Sequence, residues 1–182
     1  MSFSVFIRPL EVNDAKISYK WRNNKLIWEF TEFKPTKNIT RAIENEWLKN
    51  ALTVKNDHRF AICLKETGEY IGNVQLLNVK NQSANFHLFI GNTKFWGMGL
   101  GKEATKLVLF YGFNVLDLCN VMLKVHKEHI AAQRLYERIG FQVVNDRDVF
   151  IKMMLTKKYY KALLKIKGVD LTNARKAVLM SD

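Results

Sequence analysis

Between Phe95 and Ala104 the chain reads Phe-Trp-Gly-Met-Gly-Leu-Gly-Lys-Glu-Ala, with glycine at 97, 99 and 101. An apolar, strand-like stretch precedes it and a long helical pattern follows at once. Side chains are absent at three alternate positions where a strand turns into a helix. A row of bare N–H groups is therefore expected at the positive end of that helix, which suits a pyrophosphate. The dinucleotide fingerprint does not fit, because Lys102 stands where its third glycine belongs and the loop follows antiparallel strands. The Walker pattern fails too, since Gly101-Lys102 is followed by Glu103.

Other reactive side chains are scattered. His87 lies in a strand-like run, and an imidazole with an ordinary pKa of about 6.5 can take a proton near neutrality. His126 and His129 straddle a strand-to-helix junction without a third ligand or an H-E-x-x-H pattern, so no metal is expected. Glu29 and Glu32 interleave with Trp28 and Phe30 in an irregular aromatic segment. They can bind a cation or relay a proton through water, or serve as solvated loop residues. Arg22 can meet an anionic group or form a surface ion pair. Cys63 and Cys119 read as reduced, buried thiols.

The elements that must position these groups are legible from periodicity. Ser4 to Glu11 reads as a strand, and Asn13 or Asp14 caps a helix running to Trp21. Arg22 to Lys37 is irregular. Asn38 or Thr40 starts a second helix, with Ile43, Trp47, Leu48 and Leu52 at helical spacing. Strands at 59–65, 70–79 and 84–90 form an antiparallel meander. A helix from Gly99 to Leu116 carries an apolar stripe at Leu100, Ala104, Leu107, Val108, Tyr111 and Val115. A strand around 121–125, a helix from His129 to Ile139 stopped by Gly140, and a hairpin over 141–155 complete the body. The fold class is α+β, a mixed sheet of about seven strands flanked by about four helices.

The 182 residues fit one domain with a sizeable core. No run is long and apolar enough for a membrane helix, and no secretory leader is visible, so a cytoplasmic protein is expected. The 29 basic and 17 acidic residues give a net charge of +12. The tail 157–182 holds seven basic residues against Asp170 and Asp182. A charge this diffuse argues against a dedicated nucleic-acid groove and suits a cofactor with several phosphates.

Five motifs in order resemble the GCN5-related N-acetyltransferase (GNAT) family, and more closely its RimJ/RimL-like branch. They are Ile7-Arg8-Pro9-Leu10, Trp21-Arg22-Asn23, Tyr70-Ile71-Gly72-Asn73-Val74, the loop from Trp96 to Ala104, and Ala132 to Phe141. Tryptophan at 96, where the wider family carries Gln or Arg, points to that branch. The resemblance implies the GNAT fold with a splayed sheet centre over residues 1–156, and a basic, partly helical extension over 157–182. It implies acetyl-CoA as co-substrate, with the loop Trp96, Gly97, Met98, Gly99, Leu100, Gly101 and Lys102 on its pyrophosphate and the strand at Phe89 and Ile90 along its pantetheine arm. His129 stands where the family usually carries a cofactor-contacting asparagine.

The implied reaction is direct transfer of an acetyl group to a primary amine in a ternary complex. By this resemblance Tyr136 is the acid for the leaving thiolate. Asn85 occupies a strand position where many relatives carry Glu, which leaves His87, on the same face, as candidate base. Arg22, Trp28, Glu29 and Glu32 would shape the acceptor pocket. The acceptor is a protein N-terminus of ribosomal-protein type or a small-molecule amine, with a nucleotide-linked amino sugar close behind. A non-catalytic coenzyme sensor is the alternative from another class. A monomer or homodimer is expected.

Overall fold

The structure, a computed structural model, describes residues 3–32, 34–166, 168 and 172–178. Seven strands make one sheet: β1 (Val5–Pro9), β2 (His58–Leu64), β3 (Tyr70–Lys80), β4 (Ser83–Ile90), β5 (Asn120–His126), β6 (Gln142–Asn145) and β7 (Phe150–Thr156), in the order β1-β2-β3-β4-β5-β7-β6. Every neighbouring pair is antiparallel except β4 and β5. The meander follows from its turns. Asn81 and Gln82 both take positive φ, the conformation that lets a two-residue hairpin match strand twist.

The parallel pair is brief. It covers Ser83 with Asn120, Ala84 with Val121 and Asn85 with Met122. Beyond Asn85, β4 continues to Ile90 against β3, and β5 continues to His126 against β7. The sheet is thus open at its centre, as the resemblance implied, and both strand edges facing the opening lack a β partner there.

Helices cover the two faces unequally. The longest, α4 (Leu100–Asn114), packs Ala104, Leu107, Val108 and Tyr111 onto a core that includes Phe60, Leu76, Phe86 and Val121. α5 (Ile130–Ile139) adds Tyr136 to the same core. On the other face α1 (Ala15–Arg22), α2 (Lys25–Trp28) and α3 (Arg41–Ala51) close a smaller core of Leu10, Ala15, Trp21, Ile27, Leu48, Ala61, Cys63 and Tyr70. α6 (Lys157–Ile166) stacks Tyr160 on Phe113, ring centroids 4.8 Å apart. α7 (Thr172–Ala177) leads into Val178, which bridges Ile7 at the β1 edge. The described part of the tail therefore packs on the body.

Seven helices stand among the described residues, about four of them expected on the sheet and further helix expected in the extension. Those beyond the four are the two in the tail and α2, a single turn capped by Asn24, whose side chain accepts from the Leu26 N–H. Val115 does not belong to the buried stripe: α4 ends at Asn114 and Val115 is 57% exposed. Cys119 precedes β5 and is exposed, with its thiol on the Gln82 side-chain oxygen, while Cys63 is buried. Of the four apolar positions expected on the helix that becomes α3, only Leu48 is buried. Ile43, Trp47 and Leu52 remain open to solvent.

Candidate active site

The glycine loop leaves a row of N–H groups without acceptors at the start of α4. Gly97 and Gly99 have φ of 76° and 79°, where an L side chain is strained. Added Cβ atoms at either would meet nothing, so the requirement there is conformational. Gly101 has ordinary helical φ, and a Cβ would meet Leu88 at 3.4 Å, an ordinary contact. The Lys102 N–H bonds to the Gly99 carbonyl at 3.0 Å, so the row of unpartnered N–H groups ends at Gly101 and only the side chain of Lys102 remains for a ligand. Among the described residues, the N–H groups of Gly97, Met98, Gly99, Leu100 and Gly101 have no backbone or side-chain acceptor. Glu103, the acidic residue of this turn, faces away and accepts from the Ser4 N–H at 2.6 Å. The positive helix end is left without a protein carboxylate.

Strand parity decides which groups of β4 reach the opening. The Gly91 N–H bonds to Ile71 of β3, and the Ile90 carbonyl accepts from the Trp96 indole at 2.8 Å. Backbone groups alternate edges along a strand. The Ile90 and Leu88 N–H groups therefore face the opening, while those of Phe89 face β3. Phe89 is corrected. Its side chain contacts Trp21 and Trp28, with centroids 6.1 and 6.0 Å away, and its backbone is turned from the gap. Leu88, which the motif reading passed over, takes that place by the two-residue alternation with Ile90.

His87 and Tyr136 lie on opposite faces of β4. His87 alternates with Phe86, which lies in the core against Tyr136 at 5.7 Å between centroids. His87 aligns with Gln75 on β3, which aligns with Arg59 on β2. Arg59 donates to the Gln75 side-chain oxygen and to Asp57 at 2.7 Å. The His87 ring is exposed, yet the surrounding protein and then the Arg59 charge lower its pKa, so it is neutral near pH 7. Tyr136 is buried between Phe86 and Phe141, and burial raises its pKa. Its hydroxyl has no hydrogen-bond partner among the described residues.

The aromatic segment arches from one side of the opening to the other. Trp28 touches Phe89 of β4 and donates from its indole to the carbonyls of Trp21 and Arg22. Phe30 meets His129 at 4.7 Å and His126 at 5.6 Å. Glu32 pairs with Lys124 of β5 at 2.7 Å, so its carboxylate is engaged, while Glu29 is exposed. Asn23 ties the base of the arch to Ile39 by two hydrogen bonds of 2.8 Å.

His129 caps α5: its Nδ1 accepts from the Ala132 N–H at 3.1 Å. This fixes the neutral tautomer with Nε2–H free to donate, and burial lowers its pKa. Burial also lowers the pKa of His58, whose Nδ1 lies 2.9 Å from the Tyr111 hydroxyl. The unfolded chain protonates these imidazoles at about pH 6.5. The folded chain, with lowered values at His58, His87 and His129, takes protons later. Stability is then full above that pH and declines as pH falls through the folded values. Thermal melts should show a lower Tm at pH 5.5 than at pH 7.5, and the triple variant with glutamine at 58, 87 and 129 should lose most of that difference.

Arg22 is held by Glu44. Its Nε donates to Oε2 at 3.0 Å, and the buried Glu44 also accepts from Ser18 at 2.8 Å. The guanidinium lies over the Trp47 ring at 4.1 Å and the Trp28 ring at 5.2 Å. Removing Arg22 would leave a buried carboxylate unpaired, a loss of about 3–5 kcal/mol. A cleft of about 250 Å³ opens beside this stack. Among the described residues no cluster of His, Cys, Asp and Glu is fit to hold a metal. No helix there is long and apolar enough to cross a membrane.

Residues 4–142 match the acetyltransferase (GNAT) domain family. Spermidine N(1)-acetyltransferase of Escherichia coli is 29% identical over 142 residues, 77% of this chain and 74% of that protein. The uncharacterized N-acetyltransferase p20 of Bacillus licheniformis is 26% identical over 139 residues, 75% of this chain and 78% of that protein. In fold, the chain resembles the spermidine N-acetyltransferase of Vibrio cholerae, solved in complex with CoA and spermine. The TM-score is 0.78 at 22% identity, covering 87% of this chain and 98% of that one.

Proposed function

The chain belongs to the acetyltransferase (GNAT) domain family, and from that premise we propose direct acetyl transfer to a primary amine in the opening between β4 and β5, with His87 as base and Tyr136 as acid. The protein is an N-acetyltransferase, and its acetyl donor is acetyl-CoA. The residues present fit that donor. Five unpartnered N–H groups at the start of α4 suit its diphosphate, and the free edge of β4 at Leu88 and Ile90 suits its amide-bearing arm. The Nε2–H of His129 is a further donor at the α5 end of the opening. When bound, the coenzyme supplies an acetyl group activated as a thioester.

The chain's own groups do the rest. The acceptor must be neutral, since an ammonium has no lone pair. His87, neutral near pH 7 and reachable from solvent, accepts the amine's proton as the C–N bond forms. The Ile90 N–H is available to the oxygen on which charge develops. As the C–S bond breaks, the Tyr136 hydroxyl gives its proton to sulfur and regains one from solvent. A raised pKa keeps that hydroxyl protonated until it is needed. Proton acceptance and donation lie on opposite faces of β4, so acceptor and leaving group do not compete for space.

The observation that carries this reading is the parting of β4 from β5 after Asn85, with His87 and Tyr136 on opposite faces of β4. Thiol release from acetyl-CoA over a panel of primary amines tests it. His87→Gln should lower kcat about tenfold, because water can replace the base at so open a position. It should also remove the acid limb of the pH profile, and an unaltered profile would exclude His87. The acceptors in question are a protein N-terminus of the RimJ/RimL kind, a nucleotide-linked amino sugar, and spermidine, for which two of the relatives are named. They differ above all in charge.

A further inference from the structure

The cleft beside the arch lies between α3 and the residues after α2, and it has an unusual lining. Its apolar wall is Ile43 and Trp47, 49% and 37% exposed, with Pro35 and Trp28. These α3 residues have helical spacing typical of a core face, yet they look into open space. Two cations complete the lining. Arg22 uses only Nε on Glu44, so both terminal amino groups lack an acceptor among the described residues. Lys34 is exposed and likewise lacks a carboxylate partner there. Among the described residues the one acidic group in the lining, Glu44, has both oxygens engaged by Ser18 and Arg22.

We propose that this cleft binds a carboxylate or phosphate carried by the acceptor amine itself, so that the enzyme acetylates amines bearing an anionic group on a flat or apolar body. This rests on the acetyl-transfer reading for the fate of the amine, but not for the binding of the anion. The planar end of Arg22, immobilised between Trp28 and Trp47, is a preorganised donor pair for two oxygens. The indole faces and Ile43 cover the body of the ligand. Reach is short, because Trp28 borders the cleft and also packs on Phe89 of β4. Two aromatic rings, Trp28 and then Phe89, thus lie between the anion and the strand that carries His87. A polycation finds no free carboxylate in the cleft and approaches a chain of net charge +12.

The test uses matched amines: 4-(aminomethyl)benzoate against its amide, glucosamine 6-phosphate against glucosamine, and spermidine as the polycation. Binding is measured by calorimetry with CoA present, and turnover by thiol release with acetyl-CoA. In each pair the anionic member should bind at least about tenfold more tightly, the worth of one charge-assisted hydrogen bond. Ile43→Glu and Lys34→Glu add a negative charge without touching the Arg22–Glu44 pair, and each should abolish that preference. Equal binding within pairs, preference for spermidine, or a preference that survives both variants would overturn the proposal. So would inorganic phosphate that alters turnover of the neutral amines without displacing the anionic ones, since the cleft would then serve an effector. Selective binding of the anionic members without acetylation would uphold the cleft and refute the transfer reading instead.

Discussion

Gly99→Val should reduce CoA affinity by at least about 100-fold, the loss of two hydrogen bonds to a charged group, while the protein stays folded. Gly99 is the cap of α4, at φ 79°. A β-branched residue cannot hold that conformation without strain. Nothing surrounds the missing Cβ, so the variant is not expelled by a clash; the backbone relaxes toward negative φ instead. That rotation redirects the Met98, Gly99 and Leu100 N–H groups. Gly101→Ala is the control. Its methyl lies against Leu88 at 3.4 Å inside the molecule, so affinity should stay within about threefold of wild type. Calorimetry with CoA reads both variants, and circular dichroism reports their folding. Wild-type affinity in Gly99→Val would remove the loop from the coenzyme site.

The contrast between these glycines shows what the sequence carries and what it does not. Apolar runs between turn residues located the strands and helical spacing the longer helices; alternating burial is clear in β5 but absent from β3, whose first seven residues are all buried. The loop was visible because three glycines in five residues have few other causes. Which glycines are required was not visible, since that depends on φ and not on composition. Phe89 and Leu88 are a similar case. Whether a residue's N–H faces β3 or the opening is a matter of register, fixed by the Gly91–Ile71 bond and hidden in a run of apolar residues.

Pairs distant along the chain were equally hidden. Glu32 and Lys124, Glu44 and Arg22, and Gln75 and Arg59 meet only through the fold. Nothing in the local pattern around Glu32 announces that its charge is engaged. The exposure of Ile43 and Trp47 contradicts their spacing because the chain from Lys34 to Ile39 stops short of covering them, leaving a cleft where periodicity predicts core. The tail is legible only as a basic, partly helical extension. The second helix and the Val178–Ile7 bridge depend on a free edge at β1, which only the strand order reveals.

Tyr136→Phe should lower kcat about 100-fold, within the range for loss of a positioned acid, with CoA affinity unchanged within about twofold. The substitution leaves the surrounding packing in place. Phe86 and Phe141 pack edge-on against the ring, and phenylalanine preserves both contacts. The hydroxyl makes no hydrogen bond to the described residues, so its removal strands no partner. Thermal stability should therefore equal or exceed that of wild type, and a large destabilisation would mean that the hydroxyl is structural. The pH profile separates Tyr136 from His87. Burial lifts the phenol's pKa, so the acid stays protonated throughout the working range, and its loss should lower the whole profile without moving the acid limb. His87→Gln changes that limb and lowers kcat less. An acetyl donor with a more acidic thiol needs less protonation on departure, and it should recover much of the rate in Tyr136→Phe but none in His87→Gln. Wild-type turnover in Tyr136→Phe, or a rate that ignores the leaving thiol, would exclude this hydroxyl as the acid.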